Sequence, residues 1–225
     1  MKYCFIYLFT LFSTQLLAQD SLLISNSIYK EDQWYASLSF LLADESIEGF
    51  RFNGLSHAFS IGFISDIPLN LDSNKALGFG LGYGISNYGS NLSVVKQNSS
   101  EYQFYLIQNT QLASKNRLIS HYIEVPIEYR WRTSTIVDYA FWRIYTGYVF
   151  RYNFYSKSKP FNGSSTIVDE VSPLSHALKI SAGYNTWNIY AEYSLSPYFK
   201  KGVRTDLGIP LKLNSIRVGL IFYVL

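Results

Sequence analysis

The chain has 225 residues, 18% of them aromatic and only 16% charged, with a formal net charge of +3 and a mean hydropathy of +0.03. It is too apolar for disorder, has the length of one folded unit, and lacks the basic stripe that nucleic acid demands of a partner. Its one cysteine, Cys4, rules out a disulfide framework.

The chain opens with Lys2 ahead of an apolar run from Tyr3 to Leu11, then a short polar patch and Leu16-Leu17-Ala18. This layout predicts a signal peptide over residues 1–18, cut between Ala18 and Gln19. A retained anchor helix needs about 20 apolar residues, and Ser13, Thr14 and Gln15 interrupt the run too early. Cys4 lies too far from the cut to accept a lipid. No later run reaches helix length, so the mature chain is either a soluble exported β-protein or a transmembrane barrel.

Residues 19–33 read as a periplasmic N-terminal segment and residues 34–225 as the barrel. Strands are expected at about 34–42, 55–67, 76–88, 119–132, 141–154, 175–185, 187–196 and 214–225. In the third, Leu77, Phe79, Leu81, Tyr83 and Ile85 share one face and Gly78, Gly80, Gly82 and Gly84 the other. Glycine has no side chain to pack, so four in register mark a concave face that something large approaches. In the fourth, Ile123, Val125, Ile127, Tyr129 and Trp131 oppose Glu124, Pro126, Glu128, Arg130 and Arg132. The fifth repeats the pattern, with Trp142, Ile144, Tyr148, Phe150 and Tyr152 opposed to Arg143, Tyr145, Gly147, Arg151 and Asn153. The last puts Ile216, Val218, Leu220, Phe222 and Val224 on the apolar face.

A soluble sandwich and a membrane barrel share this alternation with opposite faces outward. Length separates them: runs of about ten residues suffice to cross a bilayer at a tilt, whereas strands of soluble sheets average five or six. Aromatics at the strand ends, Tyr129, Trp131, Trp142, Tyr152 and Phe154, fit an interfacial girdle. The expected fold is therefore all-β, an eight-stranded antiparallel up-and-down transmembrane β-barrel of the outer-membrane type. Connections at 43–54, 88–118, 155–174 and 197–213 are long and polar, while 68–75, 133–140 and Asn185-Thr186 are shorter. Long loops outside and short turns inside put both termini in the periplasm, in the cell outer membrane.

The polar faces assign Glu124, Glu128, Arg130, Arg132, Arg143, Arg151, Lys179, Glu192 and Arg217 to the interior. Eight strands leave a bore just wide enough to be filled by side chains, so these residues are expected to form a charge network; a selective pore is the alternative, opposed by the inward Tyr145, Tyr190 and Tyr223. Catalysis needs a nucleophile with a base in reach. The three histidines each follow a serine, in Ser56-His57, Ser120-His121 and Ser175-His176, and adjacent strand residues face opposite ways. His57, His121 and His176 are thus read as lipid-side residues, each opening a strand after a long loop: tolerated rim residues, or a belt meeting lipopolysaccharide phosphates. Strands 2, 4 and 6 are too far apart for them to share a metal. No catalytic residue, metal or cofactor is expected, and the protein is not read as an enzyme.

The stretch Ile123 to Tyr148, with Arg130-Trp131-Arg132-Thr133-Ser134-Thr135 followed by Phe141-Trp142-Arg143-Ile144-Tyr145, resembles the PorT family of small outer-membrane barrels in Bacteroidota. The resemblance extends over the mature chain in length and strand layout. It implies a component or accessory of the type IX secretion system, which exports proteins with a C-terminal sorting domain and serves gliding motility where present. Other secretion components would then be partners beside outer-membrane lipid and lipopolysaccharide, and the turn Trp131, Arg132, Thr133, Ser134 and Thr135 their contact. The alternative is a generic small porin-like or adhesion barrel without a secretion role.

Overall fold

The computed structural model describes residues 30–43, 47–52, 55–97, 102–108, 116–133, 141–160 and 163–224. The expected signal peptide and its cut lie outside them. Among the described residues the chain forms β1 Gln33–Ala43, β2 His57–Pro68, β3 Lys75–Gly89, β4 Leu92–Lys96, β5 Tyr102–Leu106, β6 Arg117–Arg132, β7 Trp142–Lys159, β8 Thr166–Ile167, β9 Leu174–Tyr184, β10 Trp187–Ser194 and β11 Ser215–Val224. Eight of them, β1, β2, β3, β6, β7, β9, β10 and β11, pair antiparallel in that order, and β11 returns to β1 with Trp34 opposite Val224 and Ala43 opposite Ser215. The result is a closed eight-stranded antiparallel barrel. Closure leaves no edge unpaired.

Alternation sorts the wall. Along β6 the even-numbered residues from Leu118 to Arg132 are buried, and the odd-numbered ones are half-buried or exposed. The glycines of β3 face the bore, where a Cβ would meet large neighbours: at Gly82 the Tyr35 hydroxyl at 2.1 Å, at Gly84 the Tyr122 ring at 2.4 Å and at Gly78 the Arg130 side chain at 2.9 Å. Those distances are well inside van der Waals contact, so an added methyl would push the bulky lumen residues aside.

Two strands extend two residues or more beyond their expected ends. β6 begins at Arg117 rather than 119, and β7 continues to Lys159 rather than stopping at 154. A bulge is the reason for the second: opposite His121 and Tyr122 the register skips a residue, so Tyr155 faces His121 and Asn153 faces Tyr122. The extra residue shifts the period by one, after which Ser156 and Ser158 are the buried positions.

The long connections correct the sequence reading more deeply. Instead of polar loops, they carry β4 and β5, paired with each other, and β8, paired with the end of β7. Leu41, Ile47, Tyr88, Leu92, Val94, Phe104, Leu118, Val168, Val171, Phe199, Leu211 and Leu213 form one buried apolar cluster there. Rings lock it: Phe104 meets Phe199 edge-on at 5.6 Å and Tyr88 meets Tyr198 at 4.9 Å. This loop end is roofed by an ordinary apolar core.

The opposite, short-turn end holds Lys30 and Val224, with Asn185 at a left-handed φ of 54° in the tight turn between β9 and β10. All four tryptophans of the chain face outward in strand positions at this end: Trp34, Trp131, Trp142 and Trp187. Three meet aromatic neighbours, Phe63 at 5.4 Å, Tyr184 at 5.5 Å and Phe222 at 4.5 Å respectively for Trp34, Trp142 and Trp187. Above them the wall exposes Leu38, Phe40, Phe59, Ile61, Leu81, Ile123, Phe150, Ile180, Ile189 and Leu220. An apolar band of this breadth, ringed by amphipathic aromatics, is a surface for lipid rather than water.

Candidate functional site

The bore holds two ion-paired groups. Nearer the loop end, Arg151 on β7 grips Glu192 on β10 through two bonds of 2.7 and 2.6 Å and donates Nε–H to Glu124 on β6 at 3.1 Å. Tyr35 donates its hydroxyl to the other oxygen of Glu124 at 2.9 Å. Arg217 on β11 approaches Glu192 at 3.5 Å and donates to the Tyr122 hydroxyl at 2.7 Å. A fork-shaped guanidinium on a carboxylate is the strong, directional form of the interaction.

Nearer the short-turn end, Lys179 on β9 donates to Glu128 at 2.7 Å, and Arg130 donates Nε–H to the same carboxylate at 3.1 Å. Asp66 on β2 takes Arg130 on one oxygen and Arg132 on the other, both at 2.6 Å. Arg132 also donates to Glu31 at 2.9 Å and to the Ser73 carbonyl at 2.9 Å. Gln33 bridges Arg130 at 3.3 Å and Glu31 at 3.1 Å. Burial holds the Glu31 carboxyl above its ordinary range, outweighing the pull of Arg132 and Arg143.

Between the groups lies a void of about 10 Å³ bordered by Tyr35, Glu124, Arg151, Lys179, Tyr190 and Glu192. That is room for about one water molecule. The bore is filled.

All nine residues assigned to the interior from the sequence are buried in the lumen. Among the described residues Arg143 is the one of the interior cations without a carboxylate partner: its Nε and Nη1 have no hydrogen-bond partner there, and its guanidinium lies 4.4 Å from the centre of the Phe141 ring. Sequence reasoning missed Asp66 and Glu31, which carry half of this end. Asp66 continues the inward alternation of Ser60, Gly62 and Ile64, so the period of two in β2 carried its signal. Glu31 precedes the periodic part of β1 and gives no such signal.

The turn proposed as a partner contact divides. Trp131 is outward and partly exposed and Thr133 is exposed, its hydroxyl accepting the Trp142 N–H at 3.1 Å. Arg132 is turned into the lumen instead, and Ser134 and Thr135 lie outside the described residues.

The histidines face outward but do not each open a strand. His57 does; His121 is the fifth residue of β6 and His176 the third of β9, because those strands start earlier than expected. His57 contacts the Leu55 carbonyl at 3.0 Å, His121 the Tyr83 hydroxyl at 2.6 Å, and His176 the Tyr148 ring at 5.6 Å between centroids. They do not converge. Among the described residues no group of three His, Cys, Asp or Glu is placed to hold a metal.

At the loop end a groove of about 450 Å³ opens between β5 and residues 200–204, lined by Tyr102, Phe104, Glu170, Lys201, Gly202, Val203 and Arg204. Tyr102 is pinned from both sides, donating to Asp169 at 2.8 Å with Lys96 Nζ 5.3 Å from its ring centre. Gly202, at a φ of 93°, turns the chain back so that Val203 N–H reaches the Lys200 carbonyl. Few other residues accept that conformation.

A family model described as Outer membrane protein beta-barrel domain matches residues 18–223. No curated protein matches the chain by sequence. Among solved structures, Ail, the attachment invasion locus protein of Yersinia pestis, is similar at 12% identity, covering 87% of this chain, in two forms. One is a complex with the heparin analogue sucrose octasulfate (99% of that chain, TM-score 0.34), the other Ail alone (98%, TM-score 0.33). A structure described as showing asymmetric conductivity of engineered proteins follows at 9% identity, with 87% of this chain, 100% of that chain and a TM-score of 0.23. The chain belongs to the outer membrane protein beta-barrel domain family.

Proposed function

We propose that this member of the outer membrane protein beta-barrel domain family is a non-catalytic, non-conducting barrel whose working surface is its roofed loop end, facing outward, with the termini in the periplasm. One observation carries the reading: the bore is packed with paired charges, while the loops spend apolar residues on a core of their own that keeps a groove open. A rigid scaffold with an ordered loop surface is where binding resides. The histidines, the natural bases, sit against a carbonyl, a tyrosine hydroxyl and a ring, which supports a non-catalytic role.

Tyr102 and Val203 offer apolar surface and Lys201 and Arg204 offer positive charge, so the groove suits an acidic ligand with an apolar side, as in adhesion to an acidic glycan. The test is cells displaying either the wild-type barrel or Lys201→Glu/Arg204→Glu, applied to an array of acidic and neutral glycans. Wild-type cells attach to acidic glycans and the variant does not; equal attachment by both, or by neither, rejects the reading.

A narrower reading, an accessory of type IX secretion, is favoured by the resemblance of residues 123–148 to the PorT family. It is tested apart from the first: in a clean deletion strain, sorting-domain cargo accumulates in the periplasm. Normal secretion rejects it.

A further inference from the structure

The outer wall is nearly free of charge, and its exceptions are gathered. Of the outward-facing positions on the eight barrel strands, only Lys75, Arg117, Lys157 and Lys159 carry a full charge, and none is a carboxylate. Lys75 stands alone at the short-turn end. The other three share one patch where β6 and β7 rise past the apolar band: Arg117 lies directly opposite Lys159, and Ile119 opposite Lys157. Like charges directly opposite on neighbouring strands repel, and no salt bridge or hydrogen bond from these three side chains to the described residues relieves them.

Below the patch on the same strands lies a cluster of aromatic and polar rings. His121 is bonded to the Tyr83 hydroxyl at 2.6 Å and has the Phe154 and Tyr155 rings at 6.4 and 5.5 Å between centroids. The β7 bulge is what puts Phe154 and Tyr155 both on the outside. Further down the wall is aliphatic and aromatic, with Ile123, Val125, Phe150 and Tyr152 exposed. From loop end downward the strip therefore reads cations, then an amphipathic boundary, then apolar wall.

We propose that this strip is a binding site for a phosphorylated glycolipid of the lipid A class, the phosphate on Arg117, Lys157 and Lys159, the sugar edge on His121 and Tyr83, and the acyl chains on the wall below. The order of chemistries along the strip is the order in such a lipid, and an anion converts the Arg117–Lys159 repulsion into a shared attraction. The other six barrel strands present no cation at this level. The site rests on the outward placement of the loop end, since lipid A occupies the outer leaflet, but its chemistry is testable without a membrane.

The purified barrel in neutral detergent, offered bisphosphorylated lipid A, dephosphorylated lipid A or phosphatidylglycerol, is read by native mass spectrometry. The wild type retains bisphosphorylated lipid A, and Arg117→Gln/Lys157→Gln/Lys159→Gln weakens it about a hundredfold, near a factor of five per cation. Lys75→Gln, which removes the outward cation at the short-turn end, leaves retention unchanged. The triple change touches only outward positions, and the heat-dependent gel shift of the intact barrel checks the fold. Equal retention by the triple variant, retention of phosphatidylglycerol or dephosphorylated lipid A as strong as that of bisphosphorylated lipid A, or displacement by millimolar inorganic phosphate overturns the proposal. A failure here leaves the glycan-array result standing, and the reverse also holds.

Discussion

The molecule has two interiors built on opposite rules. Inside the barrel the core is ionic: Arg130, Asp66 and Arg132 are all 0–1% exposed and hold one another at 2.6 Å. Beneath the loops the core is apolar, with Phe199 and Leu213 at 1% exposed among aliphatic and aromatic neighbours. The difference follows from what surrounds each. A wall that must show Leu, Ile and Phe to lipid has only its other face left for polar side chains, so the bore inherits the charges and must pair them. The loops stand beyond the band, in water, and bury apolar surface as any soluble domain does.

The ionic interior is the more brittle. Glu128→Ala strands Lys179 and leaves Arg130, among the described carboxylates, with Asp66 alone, and a buried charge left without its partner costs about 3–5 kcal/mol; the whole barrel should unfold at lower urea concentration, read by loss of the heat-dependent gel shift. Unchanged unfolding would make the network incidental to stability. In the roof, Leu213→Ala leaves a cavity worth about 2–5 kcal/mol, but the loss stays local. Limited proteolysis within 195–214 should accelerate while barrel unfolding holds, and a joint loss of both would mean the two interiors are one cooperative unit.

Glu31 sharpens the comparison at the barrel's lower margin. Burial raises its pKa in the folded chain, so its contribution is fully present below the ordinary carboxylate range and fades as pH rises through the raised value. Hydrogen-exchange protection of residues 30–33, corrected for the intrinsic rate, should be strongest in mild acid and weaken toward neutrality, and Glu31→Gln should flatten that slope. A profile that the substitution leaves unaltered would assign the pH dependence to another group. The subtlest perturbation is a tag: beside Ser164 or Ser165 it should be reached by antibody on intact cells, and at Asp138, outside the described residues, it should not. The reverse pattern would turn the barrel over.

The ionic interior was the more legible of the two from sequence. Strict alternation on 123–132 and 142–153 assigns Glu124, Glu128, Arg130, Arg132, Arg143 and Arg151 one by one, because a period of two leaves no freedom about which face a residue takes. It fails where the period slips, at Phe154-Tyr155, and where a residue lies before the period starts, at Glu31. The apolar roof was hidden for a different reason. Leu92, Val94, Phe104, Phe199 and Leu213 come from two separate connections, 88–118 and 197–213, and only the closed barrel brings them to one end. The groove depends on that convergence too, so Tyr102 and Lys201 carried no sign of a shared wall.

The bore is closed by its own paired charges, which leaves the ends and the wall as working surfaces. The most direct test is the current through single wild-type barrels in a planar lipid bilayer, with insertion verified independently by the heat-dependent gel shift of the recovered protein. A silent bilayer at applied voltage is the predicted result; steady, stepwise ion conductance through the wild-type barrel would contradict it.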